Sequence, residues 1–336
     1  LNCTVKTTKG GITVTDRYNV YGERLSETDG NGNETAYTLN KYGDITKITY
    51  ADGGEIRREY DYRNNTLSET DENGNTMEYK YDGIGNLVSV TDKSGKREIE
   101  SRVYDGGYRL KERKAGNKIK NVFGYDKDDR KISVDVYDIS LSKTIYRERN
   151  AYTGNERGLM MENKILGGND GTEEITSYER SDLADRIVER SDRGVKTNYE
   201  YDRAGRVTRE IRGGLTVNYE YDARGNMIKQ RDSMGAEYIN EYDGLGRKKA
   251  ETDANGNKTE YYYDDLNRLI EKKTPFDKET GEMSAVKYKY DKNGNVTEER
   301  LKVKKDNEGG GERVIRNEYD KRNRLVKSAV VDNNGK

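Results

Sequence analysis

Residues 199–207 read Tyr-Glu-Tyr-Asp-Arg-Ala-Gly-Arg-Val. Tyr199 and Tyr201 stand two apart, so on an extended chain they share one face. Asp202 and the residues after it form a turn. Gly205, four residues past Tyr201, supplies the left-handed backbone that other L residues avoid. Val207 then starts a second strand. Close copies occur at Tyr219–Met227 and Tyr79–Leu87. The dipeptide Tyr-Asp occurs 11 times, where 28 Tyr and 30 Asp in 336 residues would give about 2.5 by chance.

Alignment on this dipeptide gives anchors at Tyr18, Leu39, Tyr60, Tyr81, Tyr104, Tyr125, Tyr152, Ser181, Tyr201, Tyr221, Tyr242, Tyr263, Tyr290 and Tyr319. These are about fourteen units with a period near 21 residues, degraded across 131–198. The structural repeat residues are the pairs Tyr60-Asp61, Tyr81-Asp82, Tyr201-Asp202, Tyr221-Asp222, Tyr242-Asp243, Tyr263-Asp264, Tyr290-Asp291 and Tyr319-Asp320. Gly85, Gly205, Gly225, Gly246 and Gly294 fill the slot four past the anchor, and Asn64, Asn267 and Asn323 replace it elsewhere. A second turn closes each unit, as in Asp29–Asn33, Asp71–Asn75, Asp92–Lys96 and Asp253–Asn257. Asn-Gly between strand-like flanks signals a hairpin. Each period is thus two strands of five to six residues with two tight turns, and it leaves no room for a helix. Longer units carry their extra residues at Gly167–Gly171, Lys278–Glu282 and Asn307–Gly311, which read as lengthened loops.

Composition agrees once the repeat is seen. Leu, Ile, Val and Phe make up roughly 17% of the chain, a level that signals disorder only when net charge is high. Here 62 basic and 63 acidic residues nearly cancel. Tyr outnumbers Phe 28 to 2, and there is no Trp. One or two Tyr and one or two aliphatics per unit are too few to bury alone, so units must stack side by side. Stacking predicts a ladder of Tyr beside Tyr on neighbouring units. It also predicts Tyr over Phe, because a half-hydrated sheet keeps the hydroxyl wet. The other face carries Glu, Lys, Arg and Thr with alternating signs. The expected architecture is all-β: one continuous domain, 1–336, of tandem hairpins in a spiral antiparallel sheet.

Zero His excludes a Ser-His-Asp triad and His-ligated zinc, and a single Cys3 excludes an intrachain disulfide. A net charge of −1 argues against nucleic acid as a partner. No apolar stretch approaches the length of a membrane-spanning helix. Asp29–Glu34 opens like a calcium loop, but Glu34 and Asn40 stand where that loop needs Gly and a bidentate Glu, so turns explain it. No catalytic, cofactor or metal residues are assigned, and the chain reads as a non-enzyme. Acids sit at repeat positions rather than around a cleft. Cys3 reads as an inert thiol. Lys302–Lys305 and Arg109–Lys120 read as solvated faces, with polyanion binding the alternative. Tyr146 and Tyr152, in irregular units, are the better candidates for stacking on a ligand.

The pattern Tyr-Asp-x-x-Gly-(Arg/Asn)-Leu, followed by Asp-x-x-Gly-Asn, resembles the YD repeat of Rhs (rearrangement hot spot) proteins. Teneurins and the C component of insecticidal toxin complexes share it. The resemblance covers residues 16–336. It implies a long antiparallel sheet wound into a hollow shell, which in bacterial members encloses a C-terminal toxin. In wall-associated and teneurin-like members the shell is presented outside the cell. No residue here matches the family's self-cleaving core, so a toxin or effector domain would lie outside this chain. The resemblance implies a secreted or cell-surface location, and the chain is expected to be an open spiral segment. The chain lacks an initiator Met and ends on Asn333-Asn334-Gly335-Lys336, an unfinished turn, so a fragment or processed piece is expected. A non-catalytic segment of a toxin-enclosing shell is the first functional expectation. A surface adhesion or carbohydrate-binding protein is the second, with a glycan or protein as partner.

Overall fold

A computed structural model describes residues 2–155, 158–166, 173–184, 186–192, 194–275, 283–303 and 311–331. Among these are 29 strands and no helix. The loops expected at 167–171 and 278–282, most of 307–311, Lys304, Lys305 and the last four residues lie outside the described residues. The chain divides into two compact units, one of residues 1–57, 220–231 and 235–336, the other of 58–219 and 232–234.

In the first unit, Cys3–Lys9 pairs antiparallel with Ile12–Tyr18, and the pairing continues strand by strand in chain order. The same order runs from Met227–Asp232 to Leu325–Val331. In the second unit it runs from Thr66–Thr70 to Leu215–Tyr221. All contacts that define the sheet are therefore hairpin contacts between neighbours, the signature of a repeat architecture.

Most anchors mark a β-bulge. The register slips between Lys80 and Tyr81, between Glu200 and Tyr201, and between Lys289 and Tyr290. Ser181, which lacks the tyrosine, keeps the slip. Tyr152 does not: its strand pairs without interruption as far as Asn155 opposite Gly158. The extra residue of a bulge turns the strand, and here it leads into the loop that Asp organises.

That loop has one geometry. The amide of Gly205 donates to the Asp202 carbonyl (3.1 Å), and the amide of Asp202 donates to the Arg206 carbonyl (2.9 Å). Gly205 has φ +82°. This is a type I turn closed by a left-handed residue, the three-residue hairpin loop. The Asp202 carboxylate accepts the amides of Ala204 and Arg206, so it holds the loop from inside. The second turn is the same object: Asp71 accepts from Asn73 and Asn75, with Gly74 at φ +81°. Its Asn-Gly pair is thus part of a longer loop in which Gly alone is left-handed. Asp92–Lys96 departs from this, because there Lys96, not Gly95, carries the positive φ of +48°.

The Tyr-on-Tyr ladder is not what forms. Tyr79 faces Val90, Tyr199 faces Glu210 and Tyr261 faces Lys272. Two strands per unit put the next unit's ring one strand too far, at roughly twice the 4.8 Å strand spacing. Nor do the rings make a buried core. Ala250 is the one hydrophobic residue fully buried among those described. The chain exposes 21988 Å², against roughly 14,000 Å² for a compact monomer of its mass. The units are one sheet thick, and their polar faces carry ion pairs such as Lys93–Glu78, Lys258–Glu241 and Lys229–Glu237.

Candidate functional site

The recurring site is the joint between one repeat and the next. Across nine joints the anchor hydroxyl donates to the backbone carbonyl six residues past the preceding anchor. Tyr81 reaches Thr66, Tyr104 Leu87, Tyr125 Leu110, Tyr152 Lys131 and Tyr201 Ile187; Tyr242 reaches Met227, Tyr263 Lys248, Tyr290 Leu269 and Tyr319 Val296, all at 2.6–3.1 Å. The acceptor needs this donor because the ladder stops short of it. Ser89 opposite Ser101 is the last pair before Leu87, and Lys229 opposite Ile239 the last before Met227. A carbonyl left at such an edge costs free energy unless something donates to it. The hydroxyls are therefore bonded rather than wet, and this is what selects Tyr over Phe. Burial raises the pKa of Tyr81, Tyr125, Tyr201, Tyr263 and Tyr290.

The joint closes from the other side as well. Five residues past the anchor stands Arg or Asn, except after Tyr18 and Leu39, where Glu23 and Asp44 stand there. Where it is Arg, its guanidinium lies over the next anchor ring: Arg109 over Tyr125, Arg130 over Tyr152, Arg186 over Tyr201, Arg247 over Tyr263 and Arg268 over Tyr290, at 4.7–5.1 Å. The same guanidinium is fixed by its own turn's carboxylate, as Arg109 is by Asp105 and Arg268 by Asp264. Arg109 and Arg268 also donate forward to the carbonyls of Asp126 and Asp291. Where the residue is Asn, as at Asn65, Asn86, Asn226 and Asn295, its amide holds the Asp, and only Asn295 of these four also reaches forward, to Asn323 at 2.8 Å. The Arg109 guanidinium holds Asp105 below the usual carboxylate range, and the Asn65 and Asn226 amides do so for Asp61 and Asp222. The amides of Arg206, Arg247 and Arg324 lead the same effect at Asp202, Asp243 and Asp320.

The left-handed slot holds Gly85, Gly225, Gly246 and Gly294, and Asn64, Asn267 and Asn323 in other repeats, all at positive φ. It also holds Tyr108 at φ +64° and Asp129 at φ +63°, which residue type did not announce. Tyr146, expected to be free for a ligand, donates to Glu148, and its pKa is pushed up to about 12 by burial and that carboxylate. Tyr152 is an ordinary joint residue. The basic segment 109–120 is tied down, Arg113 to Glu100 and Lys114 and Lys120 to Glu112.

A second contact joins distant repeats of the first unit. Asn293 donates to the Asp29 carboxylate at 2.6 Å, and Asn31 donates to Asp291 at 3.0 Å. Arg322 donates to Asp52 at 2.6 Å and lies 4.0 Å over the Tyr50 ring. A Cβ on Gly10 would meet Leu266 at 2.7 Å, and one on Gly30 would meet Ile12 and the Lys292 carbonyl at 2.7 Å. Leu266, Asn293 and Arg322 all stand three residues past an anchor. Three successive Tyr-Asp turns thus dock on three successive turns from the other edge of the first repeats. The three docking residues share a position and no chemistry, so periodicity could not reveal them.

A hairpin repeat whose signature side chains are consumed in repeat-to-repeat joints is a repeat scaffold. The RHS repeat family model matches residues 60–97, 201–236 and 242–280. No curated protein sequence matches the chain. Among solved structures, the Photorhabdus luminescens Tc holotoxin pore aligns with 96% of this chain and 24% of its own at 13% identity and a TM-score of 0.48. A TcdB2–TccC3 crystal structure aligns with 100% of this chain and 25% of its own at 13% identity and a TM-score of 0.49. The same pair without its hypervariable C-terminal region gives 99%, 24%, 14% and 0.48. The chain spans about a quarter of the length of these structures.

Proposed function

We propose that the chain is a non-catalytic wall segment of an Rhs-type secreted toxin, forming part of a shell that encloses or delivers a C-terminal effector. One observation carries the reading. The side chains that repeat are spent on joints and turns: Tyr on carbonyls, Arg on rings, Asp on loop amides. Side chains committed in this way extend a sheet and, among the described residues, leave no cleft in which repeat side chains stand as free acid, base or nucleophile. The RHS repeat matches support the class. The effector and an extracellular location follow from the class and are part of the proposal.

The test is protease protection of the full natural gene product. If the chain is container wall, the portion following residue 336 survives trypsin until urea opens the sheet, then disappears at once. A reading frame that stops at residue 336, or a following portion digested equally fast with and without urea, overturns the reading.

A further inference from the structure

The position two before the anchor is Tyr at 37, 79, 199, 219, 261 and 288. In the repeat anchored at Tyr242 the ring stands two residues earlier, at Tyr238, and a small amide, Asn240, takes the usual place, as Asn150 and Asn317 do before Tyr152 and Tyr319. Asn240 turns its amide nitrogen to the Met227 carbonyl (3.0 Å), which Tyr242 also caps (3.1 Å). Beside it lies a cavity of about 340 Å³, lined by Tyr238, Asn240, Glu251, Thr259, Thr274 and Pro275 among others. The register places Asn240, Glu251 and Thr259 in one row across adjacent strands, on a single face.

Asn240 and Thr259 are only 9% and 8% exposed. Yet the Asn240 carboxamide oxygen and the Thr259 hydroxyl have no hydrogen-bond partner among the described residues, and neither does the hydroxyl of Thr252, Thr274 or Tyr238. These groups are not among the sealed unpartnered atoms, so they are open to the cavity, and such a row of hydroxyl and amide groups suits a ligand rich in hydroxyls. No Lys or Arg lines the cavity. Glu251 already holds Lys248 at 2.8 Å and accepts the Tyr261 hydroxyl. An anion would face carboxylates with no cation to offset them, and a cation would compete with Lys248. A neutral polyol fits: hydroxyls for the Thr and Asn groups, and a C–H face for the Tyr238 ring, 44% exposed, opposite Pro275.

We propose that this cavity is a binding subsite for one neutral pyranose ring. The inference is independent of the container reading, which does not need it. Binding is measured on the whole chain by saturation-transfer NMR with the methyl glycosides of glucose, galactose, mannose and N-acetylglucosamine, and with glucuronate as the anionic counterpart. Thr259→Val and Asn240→Tyr write in residues that other repeats already carry at the same positions, Val217 and Val286, and Tyr219 and Tyr261. At least one neutral glycoside should bind saturably at millimolar concentration. Thr259→Val should weaken it roughly fivefold to tenfold, the loss expected for one hydrogen bond. Asn240→Tyr should abolish it, with circular dichroism unchanged. If Asn240→Tyr does not fold, Thr259→Val alone decides. No saturable binding, tighter binding of glucuronate, or glycoside binding indifferent to Thr259→Val overturns the assignment.

Discussion

Replacing Tyr81, Tyr125 and Tyr201 together by Phe isolates the hydroxyl at three joints of the unit 58–219. The rings stay, and so do Arg109 over position 125 and Arg186 over position 201. What is lost is three donors, to Thr66, Leu110 and Ile187 at 3.0, 2.9 and 2.6 Å. A net intramolecular hydrogen bond is worth about 0.5–1.5 kcal/mol, and removing a donor strands its carbonyl. The three sites lie at least a repeat apart and should add, giving about 3 kcal/mol. The control replaces Tyr42 and Tyr62, 70% and 83% exposed, whose hydroxyls have no hydrogen-bond partner among the described residues; it should change stability by less than about 0.5 kcal/mol. Urea unfolding followed by circular dichroism reads both, with each unit's transition fitted separately. The competing idea, a wet hydroxyl on a half-hydrated ring, gives the opposite sign, since Phe loses nothing and buries better. A triple variant as stable as the wild type, or more so, refutes the joint.

Acid should unfold the chain through its turns. The loop aspartates Asp61, Asp105, Asp182 and Asp222 are held below their ordinary pKa by the Asn or Arg side chain that closes each loop. Folded values below unfolded ones mean the stability is present above about pH 4 and lost as pH falls through the depressed values. A pH titration by circular dichroism should show cooperative loss below pH 4, shallower in Asp105→Asn. Tyr37, raised to about 12 chiefly by burial and then by Glu27, works at the other end, contributing below pH 10 and failing as pH approaches 12; its phenolate absorbance at 295 nm should appear late, and in Glu27→Gln should appear earlier but still above pH 10, because the burial remains. Tyr108→Gly should stabilise by about 1 kcal/mol by relieving a left-handed non-glycine residue, whereas Gly246→Ala should cost about as much; thermal unfolding distinguishes the signs. Arg322→Ala should destabilise the unit containing residues 1–57 by about 2 kcal/mol through the ring and carboxylate it leaves, and leave the other unit's transition unmoved.

Strands and turns were legible because each is set by local chemistry at a fixed offset, whereas the bulge at the anchor was not read. Asp next to the anchor makes the loop, and Gly four residues on accepts the left-handed backbone. Even Ser181, without its tyrosine, was placed by period alone. The joint was only half legible. The Tyr to Phe ratio of 28 to 2 carried the signal of a hydroxyl with a job, but the acceptor is a backbone carbonyl, which every residue has and no sequence marks. The Arg/Asn alternation was visible, while its meaning needed the distance from Arg247 to Tyr263. The docking of residue 293 on residue 29 spans more than 260 positions and uses unlike side chains, so no periodic reading could find it. The cavity at Asn240 appears only as a misplaced tyrosine, a defect in the pattern rather than a motif.

The two kinds of contact differ in what they constrain over evolutionary time. A joint is strictly local, since tyrosine looks back one repeat and arginine forward one. Unequal crossing-over could add or delete a whole repeat and every joint would re-form. The docked turns behave otherwise: they pair residues 10, 30 and 52 with repeats about a dozen units downstream. One extra repeat between them would bring Leu266 to the place of Asn293, against the Asp29 carboxylate. The joints let the array change length freely, and the docked row counts the repeats.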